Sequence, residues 1–389
     1  MDFRLGEEEA AFRESVRVFL REQVTDELRD RVHRTGTRHD WDFHRNLAAR
    51  GWLNAHWPRA AGGQGRSPLA MMAFHEELAL ADAPTDGMGI TMLVADVIRA
   101  VGTPEQKELF LRPVLGGKCL FCLGYTEPDA GSDVAAVITR AVRDGDRWVI
   151  NGQKMFTTLA HEANFVFLLT RTNSNVPQHR GLTMFLVPMN ASGIEIQPVH
   201  TLGGERTNVT FYTDVRVADS MRVGAVDGGW DVMRVALAFE RGGAMGSELQ
   251  RHLRRAVEWA NHASDDHDGC PMDDPEVRTT LARVAIRAEV GRLLNLRTIC
   301  DSAQNGVPNH VFGSMAKVYL TEALVHSVSE LLDRLGTEGV LQYGDAAAPA
   351  DGWLEAAFRH VPVTTIYGGT SEVQRSIIAE RGLSLPRIR

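Results

Sequence analysis

Cysteine is scarce in this chain, with four among 389 residues. That excludes a disulfide-stapled scaffold and points to a reducing compartment. Cys119 and Cys122 form a CxxC, but Cys270 and Cys300 supply no second pair, so all four read as packing residues. Positive charge is also in deficit: 42 Lys and Arg stand against 50 Asp and Glu, for a net charge of −8. With no basic run to offset this, a nucleic-acid binder is excluded, and a polyanionic ligand would have to meet local arginines. No apolar stretch approaches the ~20 residues needed to cross a bilayer, so no membrane insertion is expected. No basic segment followed by an apolar one precedes Glu7 to Gln23, where Phe12, Val16, Phe19 and Leu20 share one helical face. A cytoplasmic protein is the expectation. Internal repeats and long low-complexity tracts are missing too; Ala346 to Ala350 is a short loop rich in alanine and proline.

What is present is an ordinary globular balance, 44% hydrophobic and 24% charged, in a chain long enough for two or three packed domains. From Leu5 to about Leu115 the periodicity is helical, and Ser67-Pro68 open a helix over Leu69 to Ala81. From Cys119 to Gly224 the period changes to strands, predicted at Arg147–Asn151, Phe165–Thr170, Leu182–Pro188, Ile194–Pro198 and Thr210–Val217. From Trp230 to Arg381 the helical pattern returns, broken by the polar loop Ser264 to Pro275. The expected fold class is α+β: an N-terminal α-helical domain (1–118), a central β barrel or sandwich (119–225) and a C-terminal four-helix-bundle-like α domain (226–389).

Two motifs carry chemistry. Tyr125 to Asp133 reads YTEPDAGSD, with Gly131 permitting close backbone approach and Thr126 and Ser132 supplying hydroxyls. Val149 to Met155 reads VINGQKM and follows after a hairpin. Either fragment alone would be an unremarkable polar turn, but nine residues in order followed by the second motif exceed chance. Together they resemble the flavin- and thioester-binding signature of the acyl-CoA dehydrogenase family, and the α, β, α order extends the resemblance over nearly the whole chain. The resemblance implies FAD as cofactor. It places Leu123, Tyr125 and Thr126 against the flavin ring and ribityl chain through backbone groups, and Ser132 near the pantetheine and phosphates of CoA. Phe156 stands where relatives usually carry tryptophan and can still stack on the isoalloxazine. Thr158 matches a threonine near flavin N5. Thr370 and Glu372 match FAD contacts, the latter where glutamine is familiar, while Tyr367 and Arg241 match substrate contacts. Two elements that hold the adenosine half of FAD across a subunit boundary are eroded: an arginine-x-x-Phe-Gly element is missing from Asn261 to Pro271, and Leu335 to Gly339 reads LGTEG.

The proton-abstracting base is the open question. In Thr365 to Arg375 (TIYGGTSEVQR), Gly368 occupies the position where the best-known relatives carry a catalytic glutamate. Its backbone amide can still serve the thioester oxygen. Glu240 is the candidate replacement. Its helix, Trp230 to Ala244, is apolar on every face over Val235 to Phe239, which implies burial, and Gly242 and Gly243 each cost ~1 kcal/mol in a helix interior. A subset of the family resembling isovaleryl-CoA and long-chain enzymes pairs a glutamate here with glycine or alanine at the other position. Thr85 to Asp96, with Gly87 and Gly89, is the expected pocket floor. The histidines show no metal-ligand spacing.

The resemblance also implies an acyl-CoA or acyl-carrier thioester, an electron-transfer flavoprotein as acceptor, and a homodimer or homotetramer. Two alternatives stay open: an acyl-CoA oxidase or flavin monooxygenase on the same fold, and a non-catalytic subunit of a heteromeric dehydrogenase.

Overall fold

The computed structural model describes residues 4–240, 247–262, 270–305 and 309–387, and only the backbone of Glu240 and of residues 303–305. Six helices come first: α1 (Glu7–Gln23), α2 (Asp26–Thr35), α3 (Trp41–Ala49), α4 (Pro68–Leu80), α5 (Asp86–Val101) and α6 (Pro104–Leu115). The predicted face of α1 buries Phe12, Val16, Phe19 and Leu20 against Phe43, Trp52 and Phe74. Phe12 and Trp52 meet edge to face at 5.7 Å, a geometry worth about 0.5–1.5 kcal/mol beyond its burial. Helix α4 starts as the sequence implies, with the Ser67 hydroxyl accepting from the Ala70 amide and Pro68 in the first turn. Helix α6 opens on a reciprocal Thr103/Gln106 capping box. Gln106 then donates to the carbonyls of Ser220 and Arg222 at 2.8 Å, tying this domain to the next.

The central domain is one sheet of eight strands: β1 (Phe121–Gly124), β2 (Arg140–Asp144), β3 (Arg147–Lys154), β4 (Phe165–Arg171), β5 (Leu182–Pro188), β6 (Ile194–His200), β7 (Arg206–Ala218) and β8 (Arg222–Val223). Their order is β6-β7-β3-β2-β4-β5-β8, with β1 added parallel to β4. Side chains from β1 to β5 and β7, among them Trp148, Ile150, Phe185, Tyr212 and Val215, share one core, so the sheet curls around it as the barrel expectation requires. The alternate residues, Phe167, Leu169, Met184 and Leu186, face outward onto α5 and α6. Sequence periodicity missed β1 and β2. Each is short, and β2 is polar on one face, so little alternation was available to read.

Beyond the sheet come α7 (Gly229–Glu240), α8 (Ser247–Ala260), α9 (Pro275–Asn305), α10 (His310–Arg334), α11 (Trp353–His360) and α12 (Ser371–Ile377). Helices α8 to α11 share a core of Leu249, Val284, Leu324 and Leu331 with Trp353. Helix α7 instead packs its Val232, Met233 and Ala236 into the core that joins α5, α6 and the sheet. Helix α12 runs for seven residues and then widens into a π turn over Ile378–Gly382. Among the described residues no helix is long and apolar enough to cross a membrane, and no group of three or more metal-ligating side chains occurs. All four cysteines are free; Cys119 and Cys122 are buried packing residues, and burial pushes the Cys119 thiol up to about 12.

Two buried features set the chemistry of stability. Glu127 and Lys154 are paired at 2.8 Å with essentially no exposure, and Glu127 also accepts from the amides of Ile138 and Thr139. Burial raises the Glu127 pKa, but Lys154 and the Ile138 amide outweigh it, leaving the group below its ordinary value. His39 and His44 are both 2% exposed, with rings 5.5 Å apart. Burial holds them down at about 3 and about 4; neighbouring cations add to it, His44, Arg31, Arg45 and His161 at His39 and Arg45 at His44.

Removing either partner of the buried pair strands a charge, so Glu127→Gln or Lys154→Met is expected to cost roughly 3–5 kcal/mol in denaturant unfolding. The histidines predict acid sensitivity. The unfolded chain binds their protons near 6.5 and the native chain only near 3 to 4, so stability is present above about 6.5 and is lost as pH falls toward 4. Urea midpoints measured across that window should fall, and less steeply in the double variant His39→Gln/His44→Gln.

Candidate active site

The two motifs meet because β1 and β3 end side by side. The Met155 amide donates to the Thr126 carbonyl at 2.8 Å, and Lys154 Nζ donates to the Tyr125 carbonyl at 3.1 Å. Leu123, Tyr125 and Thr126 are half-buried along this edge. Beyond Met155 the chain turns sharply. Phe156 sits in the left-handed region at φ 53° with its side chain 57% exposed, and Leu159 follows at φ 63°. A left-handed non-glycine residue costs roughly 1–2 kcal/mol, and strain of this kind gathers at functional sites. The turn is held by Asn208, which donates to the Thr157 carbonyl at 3.0 Å and whose own carbonyl accepts from the Thr157 amide at 2.9 Å. Thr158 is thereby placed 3.2 Å from Thr207 on β7. The outcome is an aromatic face held out of the core with a hydroxyl two residues on, a surface suited to a planar ligand. Gly131, with nothing within 4 Å of an added Cβ among the described residues, and the exposed Ser132 stand on the loop beyond.

Other predicted positions come from the C-terminal domain. Gly368 and Gly369 have φ of 65° and 87°, conformations that need glycine. Their carbonyls are anchored. Gln374, fully buried, donates to Gly368 at 2.8 Å, and Lys317 donates to Gly369 at 2.5 Å. Thr370 caps α12, its hydroxyl accepting from the Val373 amide, and Glu372 is exposed on the first turn. Among the described residues neither makes a hydrogen bond or ion pair with the β-domain motif. Helix α7 is described as far as Glu240, and its Phe239 packs into the same core as Leu123 and Tyr125. The helix expected to run to Ala244 is thus described as far as Glu240; Arg241, Gly242 and Gly243 lie outside the described residues.

Several residues that periodicity and motif did not single out converge beside Tyr367. Arg38, from the α2–α3 connection, reaches Asp82 at 3.2 Å and Asp86 at 3.7 Å. Asp82 also takes Arg251 and Arg255 from α8; burial would raise its pKa, but the three arginines hold it well below the carboxylate range. His360 on α11 pairs with Glu205 of the β6–β7 hairpin at 2.8 Å; burial opposes its charge, and Glu205 prevails and raises it. These groups come from all three domains, and only the fold assembles them. A sequence signal existed for one: Asp86 opens the glycine-containing segment Thr85 to Asp96.

Comparison with known proteins bears on what this arrangement does. The models of the acyl-CoA dehydrogenase N-terminal, middle and C-terminal domains match residues 6–118, 122–215 and 227–383. The chain is 40% identical over 343 residues to acyl-CoA dehydrogenase FadE26 of Mycobacterium tuberculosis, covering 87% of this chain and 86% of that one. Among solved structures it is similar to the ChsE4-ChsE5 complex from Mycobacterium tuberculosis, at 36% identity and a TM-score of 0.90. It is also similar to the Tcur3481-Tcur3483 steroid ACAD, at 33% identity and a TM-score of 0.91; both matches cover 100% of each chain. With its helical, sheet and helical domains and its thioester signature in place, this chain belongs to the acyl-CoA dehydrogenase family and is an oxidoreductase acting on acyl-CoA.

Proposed function

We propose that the chain catalyses FAD-dependent α,β-dehydrogenation of a bulky acyl-CoA thioester, with Glu240 removing the α-proton. The observation that carries this reading is the strained, exposed Phe156 beside Thr158, on the sheet edge whose Tyr125 shares a core with the helix that carries Glu240. FAD, when bound, supplies the acceptor for the β-hydride. Leu123, Tyr125 and Thr126 would offer it backbone groups, Phe156 a ring face and Thr158 a hydroxyl, while Thr370 and Glu372 would hold it at α12. The Gly368 amide donates to the thioester oxygen, a contact typically worth about 3–4 kcal/mol in the transition state. Gln374 and Lys317 keep that loop in place by holding the two carbonyls that follow the amide. Ser132, Arg241 and Tyr367 belong to the thioester side. Electrons pass to an electron-transfer flavoprotein in the cytoplasm. We divide the chain into domains at 1–118, 119–225 and 226–389.

A bulky acyl group is supported by glycine at position 368, where a carboxylate side chain would otherwise fill space, and by the steroid description of one solved neighbour. Glu240→Gln should bind thioester yet reduce flavin at least about 100-fold more slowly, as expected for loss of a general base. Wild-type rates of anaerobic flavin bleaching in that variant would remove Glu240 from the role.

A specific observation favours a second reading of the assembly. Two solved neighbours are complexes of two differently named chains. Here the FAD contacts expected at α12 make no hydrogen bond to the flavin motif among the described residues. We infer that a second subunit completes the cofactor site, and that this subunit is a different chain. Expressed alone, the protein should carry well under one FAD per chain and recover it on co-expression with such a partner. Full flavin occupancy in a lone homodimer or homotetramer, measured by absorbance and light scattering, would favour the homomeric form.

A further inference from the structure

Five residues past Phe156, the chain brings His161 back against the residue that holds the turn. His161 Nδ1 lies 3.2 Å from Asn208 Nδ2, and its Nε2 lies 3.1 Å from the hydroxyl of Thr37 in the α2–α3 connection. Asn208 and Thr37 are both buried, so water replaces neither partner. Two more contacts join the same segments. The Arg206 amide donates to the Gly36 carbonyl at 2.8 Å, and Trp41 Nε1 donates to the Glu162 carboxylate at 3.0 Å. The turn that presents Phe156 and Thr158 is thus attached to the N-terminal domain through His161 and Glu162.

The neighbours of His161 place its proton. The Asn208 carboxamide has one orientation: its Oδ1 accepts from Arg206 Nε at 3.3 Å, and its Nδ2 donates to the Thr157 carbonyl at 3.0 Å. Reversed, it would set oxygen against oxygen and N–H against N–H. Nδ2 is therefore a donor to both of its partners, with one hydrogen for Thr157 and the other for His161, and His161 Nδ1 has to accept. A neutral imidazole with a bare Nδ1 carries its proton on Nε2, which then donates to the Thr37 hydroxyl. A doubly protonated ring would turn an N–H onto the Asn208 amide hydrogens. Burial opposes that charge first and Arg206 second, while Glu162 favours it, and the ring is held below its ordinary value. His39, in the same connection as Thr37, is a further titratable neighbour and is kept neutral by burial.

We propose that His161 is a positioning residue for the flavin-facing turn: with its proton on Nε2 and Nδ1 bare, it holds the Asn208 amide that brackets Thr157, and through it fixes the Phe156–Thr158 surface to the N-terminal domain. The proposal rests on the reading of that turn as the flavin surface and adds a residue that sets its geometry. Left-handed residues such as Phe156 and Leu159 persist only where their surroundings over-determine them, and the chain from Asn208 through His161 to Thr37 supplies one such constraint. A proton added at Nδ1 removes the acceptor. The hold on the turn is therefore present at and above about pH 6.5 and is lost only at lower pH.

The test uses the full chain in its flavin-binding assembly, with its histidines labelled with nitrogen-15. At about pH 7.5 the NMR signals of His161, identified by their loss in His161→Asn, should show a bare Nδ1 and a protonated Nε2. Two further readouts follow the turn: hydrogen exchange of the peptide over residues 155–162, which needs no flavin, and FAD affinity. His161→Leu, which removes the acceptor, should exchange that peptide at least about tenfold faster and bind FAD at least about fivefold more weakly. His161→Asn, whose side-chain oxygen accepts from Asn208 and does not titrate, should restore both to within about twofold. Between about pH 7.5 and 5, corrected for intrinsic exchange, the peptide should loosen in wild type at least about threefold more than in His161→Asn. Both proteins keep His39 and His44, so the difference isolates His161. A proton on Nδ1 at the higher pH, wild-type exchange in His161→Leu, or the same pH profile of exchange in His161→Asn overturns the proposal. Accelerated exchange in His161→Leu with FAD affinity unchanged in every variant keeps the link to Asn208 and overturns the reading of the turn as the flavin surface, so the two failures are distinct.

Discussion

The buried Glu127–Lys154 ion pair is the constraint on which the rest of the site depends. Glu127 belongs to the motif that leaves β1, and Lys154 ends β3, so their 2.8 Å contact fastens two segments far apart in sequence. Each charge is satisfied further, by the Ile138 and Thr139 amides on one side and the Tyr125 carbonyl on the other. A pair this well hydrogen-bonded offsets the desolvation that would otherwise make burial unfavourable. It also fixes the direction in which the chain leaves Lys154, and hence the strained turn at Phe156.

From that anchor the architecture follows by addition. The curled sheet turns one set of side chains inward and presents the other to α5, α6 and α7. Helix α7 is therefore held by the sheet, although it precedes the C-terminal helices in the chain. The loop of Gly368 and Gly369 comes from the C-terminal domain, steadied through its carbonyls by Gln374 and Lys317. The Phe156 turn, the helix that carries Glu240 and the Gly368–Gly369 loop thus come from separate packing units. Arg38, Asp82, Arg251 and Arg255 form one charge network that ties the N-terminal domain to α8.

Sequence reading was most reliable where a period or a cap carries its own physical signature. The α1 face, the Ser67 cap and strand β5 are legible because helix and strand periods differ and because a hydroxyl before proline satisfies an orphan amide. Strands β1 and β2 were not, since four or five residues give too little alternation to separate from a loop. The role of Glu127 could not be read from its own segment. Its partner, 27 residues away, needed the sheet.

By itself the sequence determined the α, β, α order, the family and the absence of a carboxylate at position 368, because these depend on residue type and local order. Tertiary structure alone decided that Gly87 is packed while Gly89 faces open space among the described residues, that Phe156 is held outward, and that the Asp86 carboxylate accepts no hydrogen bond among the described residues. The physical reason is that burial, strain and unfilled hydrogen-bonding capacity are properties of neighbours. Those neighbours, Arg38, Glu248 and Tyr367 among them, are brought together only when three domains close on one another.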